Sequence, residues 1–199
     1  MEPEEPRPVL VPERTSVQEV IAQRLLDART VVVSGEIDQD LAGRIIAQLT
    51  ALAAISTDPI TVVINSQGGH VESGDTIHDY VRFIEPPVRM LGTGWVASAG
   101  ALIYVAAPVE DRYCLPNTRF LLHQPAGGVR GTTSDIAIEA EQILRMRDRV
   151  NRIFARETGQ PVERIEEDTH RNFWLSAEEA VAYGLVGRIV EHAREIEER

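Results

Sequence analysis

Four places in the chain hold groups able to do covalent or acid–base chemistry. Gly94-Trp95-Val96-Ala97-Ser98-Ala99-Gly100 sets a serine where a strand and turn enter an apolar helix, so its hydroxyl would sit at the positive end of the helix dipole. That suits a nucleophile, and it equally suits a helix N-cap, for which serine is favoured. The strict G-x-S-x-G elbow is not met, because Val96 stands at its first glycine. His123 follows Phe120-Leu121-Leu122 and so ends an apolar strand, at the edge where α/β sheets place their sites. It reads as a general base or as a satisfied structural histidine. Gly68-Gly69 follows another apolar strand and either makes a plain turn or exposes the N–H groups that a developing oxyanion needs. The fourth place is the polar cluster from Glu166 to Asn172.

The remaining histidines carry less. His70, His78, His170 and His192 fall on helix starts, polar helix faces or the tail, and each is expected to be solvated. His70, Glu72, Asp75, His78 and Asp79 crowd together without a metal-ligand spacing, and His70-Val71-Glu72 lacks the downstream C-x-x-C of a zinc deaminase. No metal site is expected.

The elements that must hold these residues alternate. A capping box at Ser16 and Glu19 opens a helix over 16–29, Val31 to Val33 reads as a strand buried on both faces, and Leu41, Ile45, Leu49 and Leu52 stripe the next helix. Ile60 to Ile64 is a second strand, closed by a turn over 65–69 and followed by a helix over 71–84. Val88 to Leu91, a turn at Gly92-Thr93-Gly94, a buried helix over 98–107 and a strand over 119–122 continue the series. Strands alternating with helices imply crossovers and a largely parallel sheet, hence one α/β domain. The longest helical pattern runs from about 133 to 157; at ~37 Å it exceeds what so small a domain needs, so part of it should pack on another subunit. A second capping box at Ser176 and Glu179 starts a helix ended by Gly184, and 185–190 returns as an edge strand.

The chain has 199 residues, 43% hydrophobic, enough for one core. With 31 acidic against 20 basic side chains, the net charge of -11 repels a phosphate backbone or an anionic lipid surface, so nucleic-acid and membrane partners are not expected. The single cysteine, Cys114, permits no intrachain disulfide and fits a reducing compartment. No run approaches the roughly 18 apolar residues of a spanning helix. Met1 to Pro12 is rich in proline and glutamate and has neither a basic n-region nor an apolar run of signal-peptide length, so the expected location is the cytoplasm.

Ile64-Asn65-Ser66-Gln67-Gly68-Gly69, Val96-Ala97-Ser98-Ala99-Gly100, Cys114-Leu115-Pro116-Asn117, Leu122-His123-Gln124-Pro125, Leu175-Ser176-Ala177-Glu178-Glu179-Ala180 and Tyr183-Gly184-Leu185-Val186 follow one another across about 20–191. Taken together these motifs resemble the proteolytic subunit of Clp protease, the ClpP family. The resemblance implies a crotonase-like α/β fold of repeated β-β-α units with a protruding handle helix at 133–157. It implies self-assembly into heptameric rings stacked as a tetradecamer around a chamber, and a Clp-type AAA+ unfoldase as partner, delivering unfolded polypeptide. ATP would be used by that partner, so no cofactor is expected in this chain. By residue, it makes Ser98 the nucleophile of a serine endopeptidase, His123 the general base, and Asn172 the occupant of the third triad position. The N–H groups of Gly69 and Ala99 become the oxyanion hole, and Gly68, Gln124, Pro125, Gly127 and Gly128 become substrate contacts. Residues 1–15 would form a flexible tail, as propeptide or axial segment, 16–191 the peptidase domain, and 192–199 a charged tail.

Three departures from the family pattern stand out. Asn172 replaces the usual aspartate, which predicts low intrinsic activity unless the amide need only orient His123, or unless a mixed ring with a paralogue supplies better-equipped partners. Asp168, one helical turn earlier, is a weak candidate to compensate. Ser66-Gln67-Gly68-Gly69 stands for the family's SPGG, and Thr61 and Val63 stand where aromatics often line the unfoldase pocket. The segment before Arg24-Leu25-Leu26 is short, implying a reduced pore loop. These features suggest a divergent paralogue, and they keep open a weakly active or inactive ring subunit that shapes or regulates a mixed complex. Acyl-CoA chemistry on the same fold would leave the Ser98 and His123 pair unexplained.

Overall fold

Runs of valine and isoleucine favour an extended backbone, and three of them lie side by side as parallel strands at the centre of the molecule. The computed structural model describes residues 16–125 and 130–197. Along them run α1 (Val17–Asp27), β1 (Thr30–Ile37), α2 (Gln39–Ile55), β2 (Ile60–Gly69), α3 (Val71–Phe83), β3 (Val88–Ala97) and α4 (Ala99–Tyr104). A 3-10 turn (Val109–Asp111) leads to β4 (Arg112–Cys114), β5 (Arg119–Leu122), α5 (Thr133–Thr158), α6 (Val162–Thr169), β6 (Phe173–Leu175), α7 (Ala177–Tyr183), β7 (Arg188–Ile189) and α8 (Arg194–Glu197). The α/β class with a parallel-dominated sheet is as expected.

The sheet runs β1-β2-β3-β4-β7, and β3 carries a second neighbour, β5, which pairs in turn with β6. The first half of β3 pairs β4 through Met90, Leu91 and Gly92, and its second half pairs β5 through Trp95, Val96 and Ala97. The sheet therefore forks at the glycines of β3. β5–β6 is the antiparallel pair among the described strands.

Each central strand is longer than its apolar run. The expected turns at Ser34-Gly35, over 65–69 and at Gly92–Gly94 are interruptions within strands. Register shifts fall between Ser34 and Glu36 and between Ile64 and Ser66, and Gly35 and Gly94 have positive φ of 80° and 60°. The Ser66 hydroxyl donates to the Gly35 carbonyl and accepts from the Gly68 N–H at 3.0 Å, stitching the two kinks together. Burial in β1 alternates, with Val31 and Val33 buried and Val32 exposed, so one face of the sheet is open in the single chain, contrary to the both-faces expectation. Other elements differ. The helix expected over 98–107 ends at Tyr104; β4, β6 and α6 were not foreseen; and the returning edge strand is two residues long.

Helices α2 and α3 cover the inner face through Ile45, Leu49, Leu52, Ile77 and Val81. His78, expected in solvent, is buried, because the stripe set by Ile77 and Val81 also includes Gly74 and His78; its Nδ1 lies 2.9 Å from Asp79. Gly74 lets α3 close on α4, where an added Cβ would meet that of Ala99 at 3.1 Å. The buried residues of α5, Val150, Asn151, Phe154 and Ala155, all belong to its second half. That root is fixed by Arg112, fully buried, whose guanidinium donates to the carbonyls of Ala107 (2.7 Å) and Glu157 (2.9 Å) and to the Glu157 carboxylate (3.0 Å). Burial lowers the Arg112 pKa, and the Glu157 carboxylate opposes that shift. The last described turn packs Ile196 against Tyr113 and Val190.

Candidate active site

Ser98 ends β3 and begins α4 with φ 55° and ψ -121°, a conformation that a residue with a Cβ rarely adopts and that costs on the order of 1–3 kcal/mol. An N-cap serine has an extended backbone and a hydroxyl bonded to the first turn. Ser98 has neither, since its side chain makes no cap bond. The capping alternative is thereby removed, and the strained strand-to-helix turn forms without the G-x-S-x-G pattern. The turn is held by the Ser98 N–H donating to the Leu121 carbonyl at 2.9 Å and by the Leu102 N–H donating to the Ser98 carbonyl at 3.1 Å.

The glycine pair splits its work. A Cβ on Gly68 would lie 2.5 Å from the Ser98 Cβ and 2.8 Å from the Ala97 carbonyl, so only glycine lets β2 pass this closely beneath the serine. Its N–H is already committed to Ser66. Gly69 is different. The His70 N–H donates to Ile37 of β1, and successive N–H groups of an extended backbone point to opposite sides, so the Gly69 N–H is turned toward β3 and the Ser98 side. The Ala99 N–H lies in the first turn of α4, where N–H groups lack intrahelical acceptors.

His123 is delivered by β5. Ala97 pairs with Leu121, so the two chains leave the sheet side by side, and Ser98 and His123 line one narrow cavity of about 20 Å³. Its other walls are apolar: Val71, Leu102, Leu122, Val150 and Phe154. Both residues also face a wider opening of about 390 Å³ bordered by Glu36, Gln67, Gly68, Gly69 and Pro125. On the far side of the histidine, Leu122 pairs with Phe173 of β6, and continuing this antiparallel register one step sets Asn172 opposite His123. His123 and Asn172 share a third opening with Gln124, His170 and Arg171. The three side chains are adjacent but not engaged, for no hydrogen bond joins Ser98, His123 and Asn172 among the described residues.

Of the remaining candidates, Pro125 borders both openings at Ser98. Gln124 is spent on the fold: its N–H donates to Thr169 at 2.8 Å and its side-chain amide to the His170 carbonyl at 3.0 Å, tying down the loop before Asn172. Gly127 and Gly128 lie outside the described residues. Asp168 does not stand in for the missing carboxylate. It accepts from the Tyr183 hydroxyl at 2.7 Å and faces Arg164 at 3.6 Å, and burial together with this carboxylate raises the Tyr183 pKa above its ordinary range. Sequence reasoning missed Ser66, whose support of Gly68 depends on contacts with β1. It also missed the pairing of Trp95 with Trp174, whose partners lie on separate strands. Among the described residues no group of three or more His, Cys, Asp or Glu could hold a metal ion, and no helix is long and apolar enough to cross a membrane.

Residues 13–193 match the Clp protease family model. The chain is 60% identical over 172 residues to the ATP-dependent Clp protease proteolytic subunit 3 of Rhizobium meliloti, covering 86% of this chain and 88% of that one. It is 58% identical to subunit 2 of Pseudomonas aeruginosa over 86% of this chain and 85% of that one. Among solved structures, ClpP1 of Listeria monocytogenes superposes with a TM-score of 0.80 at 54% identity, over 88% of this chain and 99% of that one. An asparagine-to-aspartate mutant of the same protein gives 0.83 at 55%, with the same coverage. The numbered names of the relatives fit a paralogue, and they do not favour the reading as a non-proteolytic ring subunit. The chain belongs to the Clp protease family of serine peptidases, as a proteolytic subunit.

Proposed function

We propose that Ser98, His123 and Asn172 are the catalytic residues and that the chain cleaves unfolded polypeptides to short peptides through an acyl-enzyme. The observation that carries this reading is a strained serine whose hydroxyl is not spent on capping, sharing a cavity with His123. In the reaction, His123 takes the hydroxyl proton as the Ser98 Oγ attacks the peptide carbonyl. The N–H groups of Gly69 and Ala99 receive the oxyanion. The C–N bond breaks, His123 returns the proton to the leaving amine, and water then hydrolyses the ester by the reverse transfers. Asn172 orients the imidazole without the charge of a carboxylate, which makes turnover low. The apolar walls beside Ser98 favour an apolar residue before the scissile bond, and the small volume favours a modest one. Gly68 and Pro125 border the path of the substrate backbone, which joins as an added strand, and the role proposed for Gly127 and Gly128 is further contact with it.

The assembly proposed is two stacked heptameric rings, homomeric or mixed with a paralogue, fed by a Clp-type AAA+ unfoldase in the cytoplasm, with 1–15 as an N-terminal axial or pro-segment. Support comes from the first half of α5, which leaves Ile136, Ile138 and Leu144 exposed. Further support comes from α1, which buries no residue within the chain. The reading needs no cofactor in this chain. The test is hydrolysis of a short blocked fluorogenic peptide by the purified particle. Activity that vanishes in Ser98→Ala, with assembly unchanged, supports the assignment; activity that persists overturns it.

A further inference from the structure

Trp95 and Trp174 come from strands on either side of β5 and meet above it, ring planes 5° apart and centroids separated by 6.4 Å. Arg119, paired with Trp95 across β3–β5, sets its guanidinium carbon 4.3 Å from the centre of the Trp174 ring. Leu121, the partner of Ala97 on one side and Trp174 on the other, is buried in this region even though the two indoles are 41% and 36% exposed. The stack thus spans three strands, and the proposed triad residues directly adjoin the ends of the same three. Trp95 precedes Ser98 on β3, Arg119 precedes His123 on β5, and Trp174 follows Asn172 on β6.

β6 needs such a restraint. It is three residues long, lies at the end of the sheet and pairs with β5 alone. Its register fixes where Asn172 stands relative to His123, yet Asn172 is exposed and makes no hydrogen bond among the described residues. The loop on its N-terminal side is tied by Gln124. On its C-terminal side the counterpart is Trp174, the central residue of β6 and two positions beyond Asn172. Aromatic stacking and a cation over an indole are both attractive, and together they favour one register of a short edge strand.

We infer that Trp95, Trp174 and Arg119 form a clamp of positioning residues that holds Asn172 opposite His123. The inference rests on the assignment of Ser98, His123 and Asn172 as catalytic. It is tested on the assembled full chain by the second-order rate of Ser98 modification with a fluorophosphonate, alongside kcat and KM for a short peptide. Trp174→Ala should slow modification and kcat together by fivefold or more while KM changes less than twofold, and Trp174→Phe should recover most of the loss. In an Asn172→Ala background, Trp174→Ala should add less than a twofold effect, because the group it positions is gone. Trp95→Phe, which shortens the stack without emptying it, serves if Trp174→Ala does not assemble, and should slow modification twofold or more. A parent that is modified while the variants match it overturns the clamp alone, as does an equal loss in both backgrounds. A parent that is never modified overturns the clamp and the nucleophile assignment together.

Discussion

At Ser98 the fold holds a backbone conformation that a serine would not choose, and the neighbours that enforce it are identifiable. Gly68 passes beneath the serine so closely that Gly68→Ala would drive a methyl into the Ser98 Cβ at 2.5 Å, at a φ of +94° that already disfavours a side chain. That variant should lose at least a hundredfold in peptidase rate and about 1–3 kcal/mol in stability, read from kinetics and urea unfolding. Asn172→Asp works in the opposite direction, placing a carboxylate opposite His123 where it can stabilise the imidazolium. In another serine protease the reverse exchange costs ~10⁴ in turnover, so a gain of tenfold or more in kcat is expected here, with KM little changed. Cys114 is no competing nucleophile. Burial pushes its pKa from 9.0 up to about 12, so the native thiol should resist an aromatic disulfide reagent at pH 8 and react once unfolded. The same difference makes the unfolded chain release its proton first, so this group lowers stability as pH rises above 9.

The elements meet at strand ends, and this is where the sequence is least explicit. Apolar periodicity marks β1, β2, β3, α2 and α3 well, because each buries a continuous stripe, and it marks α5 although only the second half of that helix is buried within the chain. It stops short at Ser34, Asn65 and Gly92, since polar and glycine residues there read as turns while the register shifts carry the strands onward. β4 and β6 are three residues each, too short to show a period, and they exist because β3 and β5 offer them partners. Ser98 and His123 were legible as candidates from local frame alone; their adjacency needed the Ala97–Leu121 register, and the position of Asn172 needed Leu122–Phe173. His78 was misjudged because a polar residue can occupy a core stripe. Between elements, Arg112 carries the root of α5. Arg112→Ala would leave the carbonyls of Ala107 and Glu157 without this donor, while the Glu157 carboxylate keeps Arg82 and Arg156, so a loss of about 1–3 kcal/mol is expected in denaturant unfolding.

The whole molecule is built with more surface than one chain can use. α5 roots in the core by its last three turns and extends its first half outward with Ile136, Ile138 and Leu144 exposed, and one face of the central sheet stays open at Val32. If the helix joins two rings, Ile138→Glu with Leu144→Glu should halve the particle mass in light scattering, because burying like charges across a two-fold contact is strongly unfavourable. Catalysis is the claim on which the rest depends, and the most direct measurement is the intact mass of the assembled protein after exposure to a fluorophosphonate, with the adduct located by peptide mapping. The account predicts one adduct per chain, on Ser98, absent in Ser98→Ala and slowed at least a hundredfold in His123→Ala. An adduct on another residue, or Ser98 modification unaffected by removal of His123, would contradict it.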